Sequence, residues 1–304
     1  MHLSVFRTSS LPRRVLVMAL GAFVLLGTAA APVAGVEPLD PIDPQPTPRP
    51  VRPQPTPTPK PAPTPAVEIG YDVSYPQCGD ALPDAFAFAI VGVNGGRVHL
   101  PNPCLGPGGD HPSLLEWAGA DADLYINTGN PGPEISSFWP TGQEAPRACS
   151  TSPFSETDTS DCAYVYGWNA AADSYRTALE AFIALGWASP GAERVPGDRT
   201  WWLDVEIANS WRLDRSLNVA ALQGAVDYLK SMEVAEIGFY STPLLWWMVT
   251  GGTQAFADHP AWHAGARDLD DARRRCDDDE AFNGGELAMV QWVENDLDVN
   301  HRCS

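Results

Sequence analysis

From residue 67 onward, short apolar runs alternate with stretches of helical period. Val67 to Ser74 (VEIGYDVS) and the nearly unbroken Ala85 to Val93 (AFAFAIVGV), closed by Asn94-Gly95-Gly96, predict two strands, the second buried on both faces. Helical spacing over Ser113 to Ala118 leads to a third strand, Asp123 to Asn127 (DLYIN). A long Pro/Ser/Thr-rich loop follows, then a helix over Ala163 to Leu185 and a strand over Thr200 to Glu206. The alternation continues with a helix at Asn218–Met232, a strand at Ile237–Ser241 and a helix at Pro243–Val249, with Pro in its first turn. A strand at Ala261–Ala264, a short charged helix at Asp268–Arg275, and strands at Leu287–Val293 and Leu297–Asn300 complete it. Repeated β-then-α units predict an α/β fold, and about eight strands over roughly 235 residues fit a TIM-type (β/α) barrel. No dinucleotide-type glycine fingerprint follows the first strand, which argues against an open nucleotide-binding sheet.

The preceding residues have another character. Arg7, Arg13 and Arg14 introduce an apolar run from Val15 to Leu26 and then small residues, the pattern of a secretory signal peptide over residues 1–34. At about 12 residues the run is short of the ~20 needed to cross a bilayer, so we expect no stable membrane insertion after cleavage. Residues 35–66 form a linker in which Pro alternates with Thr, Gln, Arg and Val; such a chain is extended and semi-rigid. Residues 67–304 are the domain, in a protein expected to be secreted or associated with the cell envelope.

Charge narrows the partners. The chain carries a formal charge of −19; residues 1–66 hold six Lys/Arg and three Asp/Glu, leaving 13 basic and 35 acidic residues, net −22, to the domain. So acidic a surface repels nucleic acid and anionic membranes, and we expect neither as a partner. All six cysteines fall in the domain, and an even count in an exported chain favours disulfides over metal. Of the fifteen pairings that six cysteines allow, the sequence-local set Cys78–Cys104, Cys149–Cys162 and Cys276–Cys303 is favoured.

The candidate chemistry centres on Trp201–Glu206, WWLDVE. Residues two apart on a strand share a face, so Asp204 and Glu206 project together. Glycosidic cleavage needs such a pair, one carboxyl donating a proton and another carrying or stabilising charge. In a barrel, catalytic groups sit at the C-terminal strand ends, where Asp72, Asp204, Glu206 and Asp298 all fall; the first and last strands are neighbours on closure, so Asp72 and Asp298 should meet. All 11 tryptophans lie in the domain, and aromatic faces stack on sugar rings. Trp211 and Trp292 are the foremost candidates for a cleft, with Trp262, Tyr240, Gln291, Asn94 and Asn127 as further sugar contacts. His263 reads as a structural histidine and Asp277–Glu280 (DDDE) as a solvated turn lacking the spaced donors of a calcium loop. No metal or cofactor is called for.

GYDVS at 70–74, LDVE at 203–206, IGFYS at 237–241, AWHA at 261–264, and VQW followed by DVN within 290–300 occur in an order that resembles the glycoside hydrolase family 25 lysozymes. They look most like an exported actinobacterial branch of that superfamily. The resemblance implies a modified barrel with eight strands and fewer helices, and cleavage of the β-1,4 bond after N-acetylmuramic acid; peptidoglycan is the expected partner, and we expect a monomer. It would make Glu206 the general acid, Asp204 the second carboxylate, and Asp72 and Asp298 flanking acids. Two features depart from the family: Asn94-Gly95-Gly96 replaces a charged stretch after the second strand, and a cysteine-bearing insertion separates the third and fourth. Two other readings share these residues, a glycan-binding barrel without turnover and a hydrolase of another N-acetylated polymer such as chitin. The longer D-x-x-D-x-D-x-E run of family 18 chitinases is absent, since Arg199, Thr200 and Trp202 stand where its acids and glycine would fall.

Overall fold

The computed structural model describes residues 68–150, 158–191 and 195–303. The expected signal peptide and the whole of the expected linker lie outside the described residues. The eight strands are β1 (Ile69–Val73), β2 (Ala89–Gly92), β3 (Asp123–Asn127), β4 (Thr200–Asp204), β5 (Glu236–Ser241), β6 (Ala261–Ala266), β7 (Leu287–Glu294) and β8 (Leu297–Arg302). They close into one barrel in sequence order. The α-helices are α1 (Leu114–Ala118), α2 (Ser160–Ala184), α3 (Arg215–Ser231), α4 (Pro243–Thr250) and α5 (Leu269–Asp277). This is the modified β/α barrel of the sequence reading, with no α-helix between β1 and β2 or between β7 and β8.

One expectation needs correcting. Strands β1 to β7 run parallel, but β8 is antiparallel to both β7 and β1. The reversal is made at Asn295-Asp296, where both residues adopt positive φ (53° and 63°), the two-residue hairpin conformation that Asn and Asp tolerate. Asp298 was expected at the C-terminal end of its strand. It instead stands near the start of β8, and reaches the same rim as Asp72 because the strand is inverted; the two residues are direct partners across the β1–β8 pair.

Helix starts are set by caps that extend the apolar pattern toward the N-terminus. The Thr159 side chain accepts from Cys162 N, so α2 begins at Ser160, not Ala163. Asp214 accepts from Ser216 N and starts α3 at Arg215. Between these helices the backbones touch. A Cβ on Gly167 would lie 1.8 Å from Ala221 O, and one on Gly224 would lie 1.9 Å from Tyr164 O.

The main core fills the space between the sheet and α2, α3 and α4, with Leu203, Trp201, Leu222, Val226, Phe239 and Trp246 all buried. Trp202, Trp262, Met289 and Ile90 form a second apolar layer, flanked by Phe88, Tyr125 and Tyr240. The two halves of Trp201-Trp202 thus go opposite ways, as strand alternation requires. All three favoured disulfides are present, Cys78–Cys104, Cys149–Cys162 and Cys276–Cys303, and no free cysteine remains. The first ties the β1 exit to the loop after β2, the second ties the insertion to α2, and the third ties α5 to the strand that closes the barrel. Among the described residues no helix is long and apolar enough to cross a membrane.

Candidate active site

At the C-terminal ends of the parallel strands a cavity of about 230 Å³ opens, lined by Asp72, Asp204, Glu206 and Asp298 together with Tyr125, Asn127, Ser74 and Asn209. A deeper recess of about 120 Å³ is bounded by the same four acids and by Tyr125, Tyr240, Trp262 and Gln291. Asp72 and Asp204 are buried, whereas Glu206 and Asp298 are half-buried. The pit therefore has two deep carboxyls and two nearer solvent.

Glu206 lies two residues beyond the end of β4, but the backbone stays extended, since Val205 N donates to Tyr240 O at 2.9 Å. The loop then curls back. Glu206 O accepts from Trp211 Nε1 at 2.7 Å and from Asn209 N at 3.2 Å, which fixes where the Glu206 side chain leaves the chain.

At Asn300 the hydrogen-bond direction beside Asp72 is fixed by a donor-only partner. Trp262 Nε1 can only donate, and does so to Asn300 Oδ1 at 2.8 Å, so Asn300 Nδ2 faces Asp72 Oδ2 at 2.7 Å. Tyr240 Oη donates to Gln291 Oε1 at 2.9 Å, and Gln291 Nε2 donates to the same Asp72 Oδ2 at 2.9 Å. Both amides serve one oxygen, leaving Oδ1 to carry a proton. Across the pit, Asp204 Oδ2 accepts from Asn127 Nδ2 at 2.6 Å. Tyr125 lies over β2 because residue 92 is glycine; a Cβ there would come within 2.6 Å of the Tyr125 ring.

These surroundings hold protons on the acids. Burial, then the charge of Asp298, pushes Asp72 up to about 8 against the pull of its two amide donors. Asp204 is raised well above the ordinary range, first by burial and then by Glu206. Glu206 is raised by burial and then by Asp298, and Asp298 by burial. The Tyr125 and Tyr240 hydroxyls are also raised, by burial first and then by the neighbouring carboxylates, so both remain neutral donors.

A stability consequence follows, with its sign set by these shifts. The folded state holds protons on carboxyls that ionise near 3.8–4.5 when unshifted. Their contribution is full below that range and is lost as the pH rises toward 8. These acids therefore lower the thermal unfolding midpoint between pH 5 and pH 8, while His99, His263 and His301, held below their usual value chiefly by burial, act the other way at the acidic end of that window. The change from pH 5 to pH 8 should thus be less downward in Asp72→Asn than in wild type. Asp271 is shifted the other way by its arginine partners, so its contribution is lost only as the solution becomes strongly acidic, outside this window. A midpoint difference between wild type and Asp72→Asn that stayed constant from pH 5 to pH 8 would contradict the assignment.

The structure brings together Asp72, Asp204, Glu206, Asp298, Asn127, Tyr240, Trp262 and Gln291, and leaves three expected contacts elsewhere. Trp292 is buried with Ala266, Ala272 and Val299 on the α5 side of β7 and is no part of the pit. It follows Gln291, which points into the barrel, so alternation turns it outward. Trp211 packs against the main core and holds the Glu206 carbonyl. Asn94 is fully interior: its Oδ1 accepts from Asn127 N and its Nδ2 donates to Ser174 Oγ, joining β2, β3 and α2. His263 is a structural histidine, with Nδ1 at 2.9 Å from Glu280 O. Residues not foreseen are Tyr125, Asn300, Ser74 and Asn209. Tyr125 shares strand parity with Asn127, and Asn300 with Asp298, so the signal for those two was present. Among the described residues, no group of three or more His, Cys, Asp or Glu is placed to hold a metal ion.

Fold and rim together define a modified β/α barrel with a carboxyl-lined mouth. No protein-family model matches the chain. The chain is similar to a Dictyostelium discoideum protein described as "Probable GH family 25 lysozyme 4", being 35% identical over 90 residues, which are 30% of this chain and 39% of that protein. It thus resembles the family 25 lysozymes over that stretch, and spans about two-fifths of the length of the curated relative it matches. Among solved structures, the muramidase from Trichobolus zukalii superposes with a TM-score of 0.44 at 15% identity, covering 79% of this chain and 94% of that one. The bacterial lysozyme from Streptomyces coelicolor gives 0.44 at 14% identity, with the same coverage.

Proposed function

We propose that the domain is a secreted glycoside hydrolase of the cell wall, cleaving the β-1,4 bond of peptidoglycan in the manner of a muramidase. The observation that carries this reading is the pit itself: four carboxyls around one opening, two of them shallow, and each biased by burial toward holding a proton. Glu206 is the general acid. It gives its proton to the glycosidic oxygen as the bond from that oxygen to the anomeric carbon breaks, and then takes one from the water that adds. Asp204 lies deeper on the same strand; in the reactive ionisation state of the pair the proton sits on Glu206, and the Asp204 carboxylate, held by Asn127, stabilises the positive charge that develops on the sugar, directly or by orienting the sugar's own acetamido group. Asp72 and Asp298, partners across β1 and β8, flank them and set the charge of the pit. Tyr240, Gln291 and Asn127 supply neutral hydrogen-bonding groups for sugar hydroxyls, and Trp262 the floor.

The description of the Dictyostelium relative as a lysozyme supports the substrate class, as does the basic, apolar and small-residue leader for export. The test is release of reducing ends from purified peptidoglycan by the isolated chain, run beside chitin and other N-acetylated polysaccharides. Muropeptide release from peptidoglycan with none from chitin is expected. Binding to walls without any release would instead support a glycan-binding barrel, and preference for chitin would move the substrate.

A further inference from the structure

Beside the acidic pit, sharing Gly96, Ala208 and Asn209 with it, runs a groove of about 440 Å³ walled by the loop after β2 and by the insertion between β3 and α2. Its chemistry is the reverse of the pit's. None of its lining side chains is acidic, on a domain of net charge −22, and one of them is Arg97. The Arg97 side chain makes no hydrogen bond or ion pair among the described residues. The groove also presents two apolar side chains to solvent, Ile135 at 72% and Phe138 at 56% exposure.

The exposed phenylalanine is held from behind. Its ring stacks on His99 with 4.1 Å between centres and 15° between planes. The His99 side chain is 6% exposed, is met edge-on by Tyr166, and has Nδ1 3.2 Å from Asp173 Oδ2. The segment that carries Phe138 is in turn stapled to α2 by Cys149–Cys162. Leaving an aromatic ring in water while bracing it with three further side chains is costly unless something covers it. An unpaired guanidinium beside it, in an otherwise anionic surface, selects for a negative charge on whatever does so.

We propose that this groove binds a short peptide substituent bearing a free carboxylate, attached to the glycan whose backbone occupies the pit. Arg97 takes the carboxylate, and Ile135 and Phe138 take the small apolar side chains. A strand stripped of peptide fits less well, since its carboxylates stay on short ether arms of the sugar rings and it offers nothing apolar to Ile135 and Phe138. The inference rests on the glycan-hydrolase reading and deepens it: the insertion makes the protein a reader of peptide-substituted strands.

The experiment compares kcat/KM on two substrates, glycan strands with their peptides intact and the same strands stripped by an amidase. Wild type should prefer the intact strands. Arg97→Glu should lower that preference about tenfold or more, the scale of one charge-assisted hydrogen-bonded pair, with Arg97→Lys intermediate. A preference of about one in wild type, or one unchanged in Arg97→Glu, overturns the inference while leaving the hydrolase reading intact. If wild type cuts neither substrate, the hydrolase reading fails and calorimetry with the free acidic peptide decides the groove. Binding that weakens tenfold or more in Arg97→Glu sustains the site, and absence of binding to wild type removes it.

Discussion

Glu206→Gln should abolish measurable turnover of peptidoglycan, lowering the rate by about three orders of magnitude, within the span that removal of a general acid produces. Glutamine keeps the size of the side chain and can still form hydrogen bonds, but has no proton to give to a leaving oxygen. Since Glu206 is half-buried and its fixed contacts run through its backbone carbonyl to Trp211 and Asn209, the exchange should leave folding intact. It also removes one of the charges that act on Asp204, so Asp204 should ionise at lower pH in the variant. Residual activity is read as reducing ends, and binding as co-sedimentation with walls. Turnover within tenfold of wild type would take the proton-donor role away from Glu206. Binding lost along with turnover would mean that its role is to hold the sugar.

The largest effect on stability is expected from Gly167→Ala. The added methyl would sit 1.8 Å from Ala221 O and 2.6 Å from Ala221 C, both backbone atoms of α3 that cannot move without moving the helix. Gly224 makes the reciprocal approach to Tyr164 O, so the two helices are in contact on both sides of their crossing. Relief requires α2 and α3 to separate and to open the core around Leu222, Ala225 and Val226. We expect a loss of about 3 kcal/mol or more, at the upper end for overpacking, and a fall of about 10 °C in the unfolding midpoint of a domain this size. Circular dichroism or calorimetry gives the answer, and a fall under about 2 °C would show that the helices do not pack backbone to backbone. Helix propensity alone favours alanine over glycine, so the steric reading predicts the opposite sign from the local one.

How much of this was legible beforehand differs between fold and site, for a reason visible in particular residues. Every strand and helix left its period in the chain, because each buries one face or both, and the cluster Asp72, Asp204, Glu206 followed from parity at strand ends. The antiparallel sense of β8 was missed although Asn295-Asp296 separates two apolar runs by two turn-forming residues, which is a hairpin signal. The tryptophans misled because an exposed platform and a buried wedge have the same composition: Trp292 obeys the alternation set by Gln291, and that parity was the better guide. Asn94 resembled a rim asparagine, but its partners lie 33 and 80 residues away in sequence and no local pattern announces them. The groove beside the pit was illegible for the same reason, being made by an insertion without periodicity whose shape depends on Cys149–Cys162 and on the stack of Phe138 over His99.

The inverted final strand also governs when the proton-holding cluster can exist. Asp72 on β1 gains its donor Asn300 from 228 residues further along, so the pit is incomplete while β8 is unplaced. Before that moment seven parallel strands have two raw edges, β1 and β7, each able to recruit foreign strands. Contacts this distant are the slowest to form in a folding chain. Chemical competence and protection from aggregation should therefore arrive together, in the single late event that inserts β8 and brings Cys303 to Cys276.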